Sequence, residues 1–222
     1  MQIAENLDEL SWAPYLEAAT GGPESGFAFI REGRFESLLL ADAELEQVDA
    51  SGALLFESAL TRVTFDGGLF RRTRFRDVWI EGTRWIGSDL VGSHWQNVHV
   101  VNGVFAGTQC FDARLERVLI RECKLDSVNF RDTKLTDVHF VDCQLKDVDF
   151  GSAELRGVTF AGSTVDGALF ERARLHDVDF TGAPRLGFAS GFDSLGGAAI
   201  SNEQLIELAP AFAKVLGLVV RE

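Results

Sequence analysis

The chain has 222 residues, 46% of them hydrophobic and 25% charged, which is enough for one domain with a substantial core. Its formal net charge of −13 argues against direct nucleic-acid binding, which needs clustered Lys and Arg for the phosphates, and favours a basic partner or plain solubility. Cys110, Cys123 and Cys143 are the only cysteines, too few for a secreted disulfide framework.

The N-terminus, MQIAENLDEL, has neither the basic start nor the apolar run of a signal peptide. A cytoplasmic location is therefore expected. Asn6 to Ala19 is predicted as a short helical segment interrupted by Pro14. Its Leu7, Leu10, Trp12, Tyr15 and Leu16 would pack against the start of the next structural unit. TGGPESG, residues 20–26, then reads as a linker.

From Ile30 to Phe180 every residue whose number is divisible by five is apolar, 31 positions without an exception or an insertion. Two residues before each sits a smaller one, mostly Val, Ala, Thr or Ser. A period of five belongs to neither a helix nor a flat strand. Two inward residues in five suit a solenoid in which each side ends in a corner. Gly, Asn and Asp, common two residues after the centre, tolerate the left-handed conformation that such corners require. Stacked turns would satisfy one another's backbone groups and bury a continuous core. Leu or Val alternates with Phe at the centres from 125 to 180. With four units per turn, Phe130, Phe150 and Phe170 should form one ladder and Phe140, Phe160 and Phe180 the facing one. Trp85 and Trp95 enlarge the middle turns, with Thr83 and Ser93 leaving them room.

The clearest stretch, CKLDS VNFRD TKLTD VHFVD CQLKD VDFGS AELRG VTFAG, resembles the pentapeptide-repeat family, whose pattern is A-(D/N)-L-x-x with Phe often replacing Leu. The resemblance spans residues 28–183. It implies an all-β solenoid, a right-handed quadrilateral β-helix of roughly eight turns, about 37 Å long at a strand spacing of about 4.8 Å. Residues 1–27 would be an N-terminal cap, and 184–222 a C-terminal capping and dimerisation segment.

The register fails at Arg185, and Gly187 to Gly197 is predicted as a loop. Ser201-Asn202-Glu203-Gln204 fits a capping box. A helix should follow, with Leu205, Ile206, Leu208, Ala209, Phe212, Ala213 and Leu216 on an apolar face broader than one cap needs. Pro210 should kink or weaken it, and Leu218-Val219-Val220 could add a short edge strand. Ala209 to Val220 contains Lys214 and is too short to span a bilayer. The tail is similar to the C-terminal dimerisation segment of mycobacterial fluoroquinolone-resistance members of that family. This implies a homodimer through Leu205, Ile206, Leu208, Phe212 and Leu216, alongside the alternative that the helix only covers the last turn.

No nucleophile motif, phosphate loop, metal signature or cofactor motif occurs, so no enzyme is expected. His94, His99, His139 and His176 all take outward positions. His99 and His139 share a side two turns apart, about 10 Å, too far to hold one metal ion. Cys123 and Cys143 share an inward ladder one turn apart, a spacing that permits a disulfide but suits two small core residues better. Stacking puts Glu122 and Asp142 on one edge, and Asp137 and Asp177 on another. Residues 91–110 carry no charge. In and around them Trp79, Ile86, Val91, Val101, Val104, Phe111 and Leu119 point outward, with Val91 and Phe111 stacked, either as an interaction patch or as scattered surface hydrophobes.

The family resemblance implies a non-enzymatic DNA mimic that binds bacterial DNA gyrase or topoisomerase IV and modulates it or protects it from a topoisomerase poison. With no insertion, the chain lacks the projecting loops of the plasmid-borne quinolone-resistance members, which favours inhibition or toxin-specific protection. The competing reading is a protein-interaction scaffold with an unrelated partner.

Overall fold

The computed structural model describes residues 4–20 and 28–220. It is a four-sided parallel β-solenoid of about nine turns, closed at one end by a single α-helix. We number the sides by the centres that stack on them: the first by Phe70 and Phe150, the second by Phe75 and Trp95, the third by Ile80 and Phe140, the fourth by Phe65 and Trp85. Strands such as Leu54–Thr61 and Arg74–Glu81 run over the second and third sides without a break. Those two sides therefore share a ten-stranded sheet, whereas the fourth side forms an eight-stranded one. The first side is held by single bridges, Asp49 to Leu69 and onward in steps of one turn.

The corner residue explains the period. From Glu32 to Asp177 every residue two places after a centre is left-handed. Gly, Asn and Asp fill many of these positions, as expected, but so do Arg62, Arg72, Arg117, Arg172, Glu57 and Glu122. A left-handed L-residue costs about 1–2 kcal/mol. The core and the turn-to-turn hydrogen bonds (Leu69 N–H to Val48 O, 2.7 Å, for example) override that preference. Gly182 falls outside the left-handed set.

The facing aromatic ladders form as expected. Phe130, Phe150 and Phe170 stack at 5.4 and 5.0 Å, and Phe140, Phe160 and Phe180 at 5.0 and 4.6 Å. Thr83 and Ser93 do more than leave room. Their hydroxyls accept the indole N–H of Trp85 and Trp95 at 3.0 and 2.9 Å, so two polar groups enter the core satisfied. Cys123 and Cys143 are buried free thiols whose Sγ atoms donate to backbone carbonyls. The hydrogen bond to the neighbouring Cys143 sulfur and burial both push the Cys123 thiol up. Burial pushes Cys110 up to about 12.

Where Phe gives way to Val100, Cys110 and Ile120, an apolar cavity of about 20 Å³ remains, lined also by Trp95, Phe105 and Phe130. A cavity without polar partners stays dry. Ile80 and Ile120 already flank Val100 in its ladder, so Val100→Ile should fit. It is expected to raise stability by up to about 0.8 kcal/mol, the worth of one buried CH₂, read as a higher urea midpoint with an unchanged slope.

Both ends depart from the sequence expectations. Ile30 is 60% exposed and Phe29 takes its core place at 6%. Residues 6–19 form no α-helix. They make two 3₁₀ turns, Leu7–Glu9 and Ala13–Tyr15, and then a strand, Glu17–Thr20, that pairs with Leu38–Ala41. Pro14 is tolerated early in its 3₁₀ turn, and an open sheet edge was available to pair. Of the predicted linker, residues 21–26 lie outside the described residues.

At the other end the register slips by one residue, so that Thr164 aligns with Arg185 and Val165 with Leu186. Leu186 then continues the core at 6% exposed. Of the predicted loop, residues 187–190 belong instead to a strand, Arg185–Ser190, which pairs through two irregularities, and Phe192–Ser194 makes a 3₁₀ turn. Asn202–Val215 is one helix that runs through Pro210. Residues 218–220 form no strand, because Gly217, left-handed, ends the helix and lets Leu218 N–H donate back to Ala213 O at 2.8 Å.

Candidate functional site

The third side is apolar on both faces. Its inward centres belong to the core, while Leu39, Ala59, Trp79, Val101 and Leu119 project outward. A sheet apolar on both faces must be covered. The chain's own N-terminus covers this one. Ala4 and Trp12 join Ala59, Trp79 and Val101 in a second apolar cluster, with Leu7, Leu10 and Leu16 at its margin. Ala4 N–H donates to His99 Nε2 at 3.4 Å, and Arg121 Nη2 donates to Glu5 O at 2.7 Å. The segment thus starts beside the middle turns and runs back along the rod until Glu17–Thr20 joins the sheet. We call it the strap.

The strap corrects one expectation. Trp79, Val101 and Leu119, read as part of an exposed middle band, are buried, and so is His99. The remaining members sit on other sides. Ile86 and Val104 are half-buried on the fourth; Val91 is half-buried and Phe111 40% exposed on the first. The signal was legible: the covered residues recur every 20 positions on a single side, the mark of a side needing a cover rather than of a band around the rod.

The four candidate carboxylates are all exposed, and none forms an ion pair among the described residues. Asp137 and Asp177 lie on the corner between the second and third sides. Glu122 and Asp142 lie on the corner between the third and fourth. They line both edges of one side. The same corners are neutralised nearer the N-terminus, where Arg62 makes a bidentate pair with Asp42 at 2.6 and 2.7 Å. The Arg62 guanidinium holds the Asp42 carboxyl below the usual carboxylate range. Asn97 ties Asp77 to Arg117 through hydrogen bonds of 2.7 Å. In that half the strap supplies the charge instead, with Glu5, Asp8 and Glu9 exposed. The strap's share of the N-terminal acidity is therefore laid along the third side.

The candidate dimer residues divide between two faces of the helix. Leu208 is 5% exposed and Phe212 half-buried, both packed on the last turn, while Leu205, Ile206 and Leu216 are exposed. No group of three or more His, Cys, Asp or Glu that could hold a metal ion occurs among the described residues, and no helix there is long and apolar enough to cross a membrane.

Trp12→Ala is expected to loosen the strap while leaving the solenoid folded. Truncating a buried Trp costs about 3–5 kcal/mol, but only a local contact is lost. Hydrogen exchange over residues 4–16 should accelerate, and Trp79 should become accessible to a fluorescence quencher.

Residues 93–170 match the family described as pentapeptide repeat region. The same five-residue register continues on both sides of that stretch, so the chain contains a pentapeptide repeat region. No curated protein sequence matches it. Among solved structures, trypsin-treated QnrB1, a plasmid-mediated fluoroquinolone-resistance protein, is similar at 18% identity and a TM-score of 0.48, over 93% of this chain and 99% of that one. Full-length QnrB1 gives 15% and 0.42, over 88% and 95%. HetL, a pentapeptide-repeat protein involved in heterocyst differentiation regulation in the cyanobacterium Nostoc, gives 17% and 0.27, over 81% and 94%.

Proposed function

We propose that this chain is a non-enzymatic DNA mimic that binds bacterial DNA gyrase or topoisomerase IV through its third side, modulating the enzyme or shielding it from a topoisomerase poison. One observation carries the reading: unpaired carboxylates on both edges of a straight side, continued by the acidic strap. Rows of fixed negative charge one or two turns apart, about 5 or 10 Å, offer a DNA-binding groove what two phosphate rows would. QnrB1 is a fluoroquinolone-resistance protein; the case here rests on this chain's own surface.

A cytoplasmic location goes with such a partner. A homodimer through Leu205, Ile206 and Leu216, with Leu208 and Phe212 mainly spent on the cap, would double the length of the acidic side. The second reading, a scaffold for an unrelated protein, draws on Val91 and Phe111, one turn apart on the first side.

The test is gyrase supercoiling with the purified protein, with and without a gyrase poison. Inhibition or protection is expected. No inhibition, no protection and no binding would sink the proposal in favour of the scaffold. Val91→Ser with Phe111→Ser should then abolish binding to whatever partner is found, while leaving the fold intact.

A further inference from the structure

Charge is sorted by side. The outward positions of the second side carry seven cations and three carboxylates, whereas the rest of the chain carries fourteen cations and thirty-one carboxylates. On the second side Arg34, Arg76 and Arg174 pair with Glu36, Asp77 and Glu154. Arg74, Arg114, Lys134 and Arg156 form no ion pair among the described residues, nor does Arg72 on the adjoining corner. Unpaired guanidiniums crowded together repel one another and favour an anionic partner.

The same surface is hollowed. Where the first side turns into the second, one turn presents only Ser51 and Gly52 between Arg31 and Glu32 on one flank and Arg71 and Arg72 on the other. The missing side chains leave the hollow of about 520 Å³, walled by Arg74. Beyond Arg74 a second hollow of about 280 Å³ has Leu54 and Phe56 in its lining, with Arg34, Arg76 and His94 around them. Arg74 lines both, so the two hollows adjoin and together offer a groove-like surface with cationic walls and an apolar stretch.

We infer that this groove docks an extended acidic polypeptide segment of a partner protein, its carboxylates on Arg72 and Arg74 and an apolar side chain on Leu54 and Phe56. Two features favour a peptide over a nucleic acid. The apolar stretch has no use for a phosphate backbone. Glu36, Glu116 and Glu154 interrupt the cations, which a peptide can step past and a continuous row of phosphates cannot. The site is on a different side from the proposed topoisomerase surface and stands or falls independently of it.

The experiment uses a fluorescein-labelled twelve-residue peptide, roughly half Glu with Leu and Phe interspersed, titrated with the whole protein and followed by anisotropy. Saturable binding that weakens with salt is expected. Arg72→Glu with Arg74→Glu should weaken it at least about tenfold. Glu already occupies left-handed corners at 57 and 122, so the double variant should fold, and Arg74→Ala alone provides a milder second reading. Lys124→Glu with Lys146→Glu, on the fourth side, should leave binding unchanged. Absence of binding, binding that the Arg72 and Arg74 variants do not weaken, or tighter binding of a single-stranded oligonucleotide of equal charge would each overturn the inference.

Discussion

Phe150→Asp is expected to abolish cooperative folding of the solenoid. Phe150 is fully buried and stacks on Phe130 and Phe170 at 5.4 and 5.0 Å. Removing a buried Phe costs about 3–5 kcal/mol. The new carboxyl would have only apolar ladder neighbours, so it must either ionise without a partner or fold protonated, a further cost of several kcal/mol. The sum rivals the whole stability of a typical domain, about 5–15 kcal/mol. A solenoid concentrates the damage, because each turn touches only its neighbours. The turns on either side of residue 150 would lose their common interface. Circular dichroism should show loss of β-structure or a much lower melting temperature, and limited proteolysis should cut near residue 150 first. A variant that melts like the parent would contradict the inward assignment of the five-residue register.

The second large effect is expected at the C-terminal cap. Gln204 is 5% exposed and hydrogen-bonded through both its side chain and its backbone. Its Nε2 donates to Phe180 O and Ala183 O at 2.7 and 2.8 Å, its Oε1 accepts from Ser201 N–H at 2.8 Å, and its backbone N–H donates to Ser201 Oγ at 3.2 Å. One side chain therefore starts the helix and also satisfies the last carbonyls of the rod. Gln204→Leu keeps the volume but leaves Ala183 O and the Ser201 N–H unpaired, at about 1–3 kcal/mol each, while Phe180 O keeps only the Ala183 N–H at 2.9 Å. The helix is expected to undock before the solenoid unfolds. Exchange protection over residues 201–216 should fall at least about 30-fold, the equivalent of about 2 kcal/mol. The uncovered edge should promote aggregation. Glu203→Gln, exposed on the same helix turn, should do neither.

These two positions mark what the sequence could tell. Phe150 was legible because period five leaves one arrangement in which all its centres point inward. The capping box at Ser201 and Gln204 was legible from local chemistry, but the second use of Gln204 was not, since it depends on where the helix lands. The strap was misread because helical spacing of Leu7, Leu10 and Leu16 and an open sheet edge make competing claims on the same residues, and tertiary pairing won. The stacking of carboxylates along two edges was expected from the period alone. That they flank one side, and that the strap carries part of the N-terminal acidity onto it, needed the fold. The basic second side was hidden by the net charge of −13, which averages over four sides that differ in sign.

The most direct test of the proposed function is binding to purified gyrase by the parent chain and by a variant carrying Glu122→Gln, Asp137→Asn, Asp142→Asn and Asp177→Asn. Asn suits the left-handed corner as well as Asp does, so the fold should persist. The parent is expected to bind and to inhibit supercoiling or shield the enzyme from a poison, with the variant at least about tenfold weaker in both. Equal binding by the two, or none by the parent, would contradict the assignment of the third side.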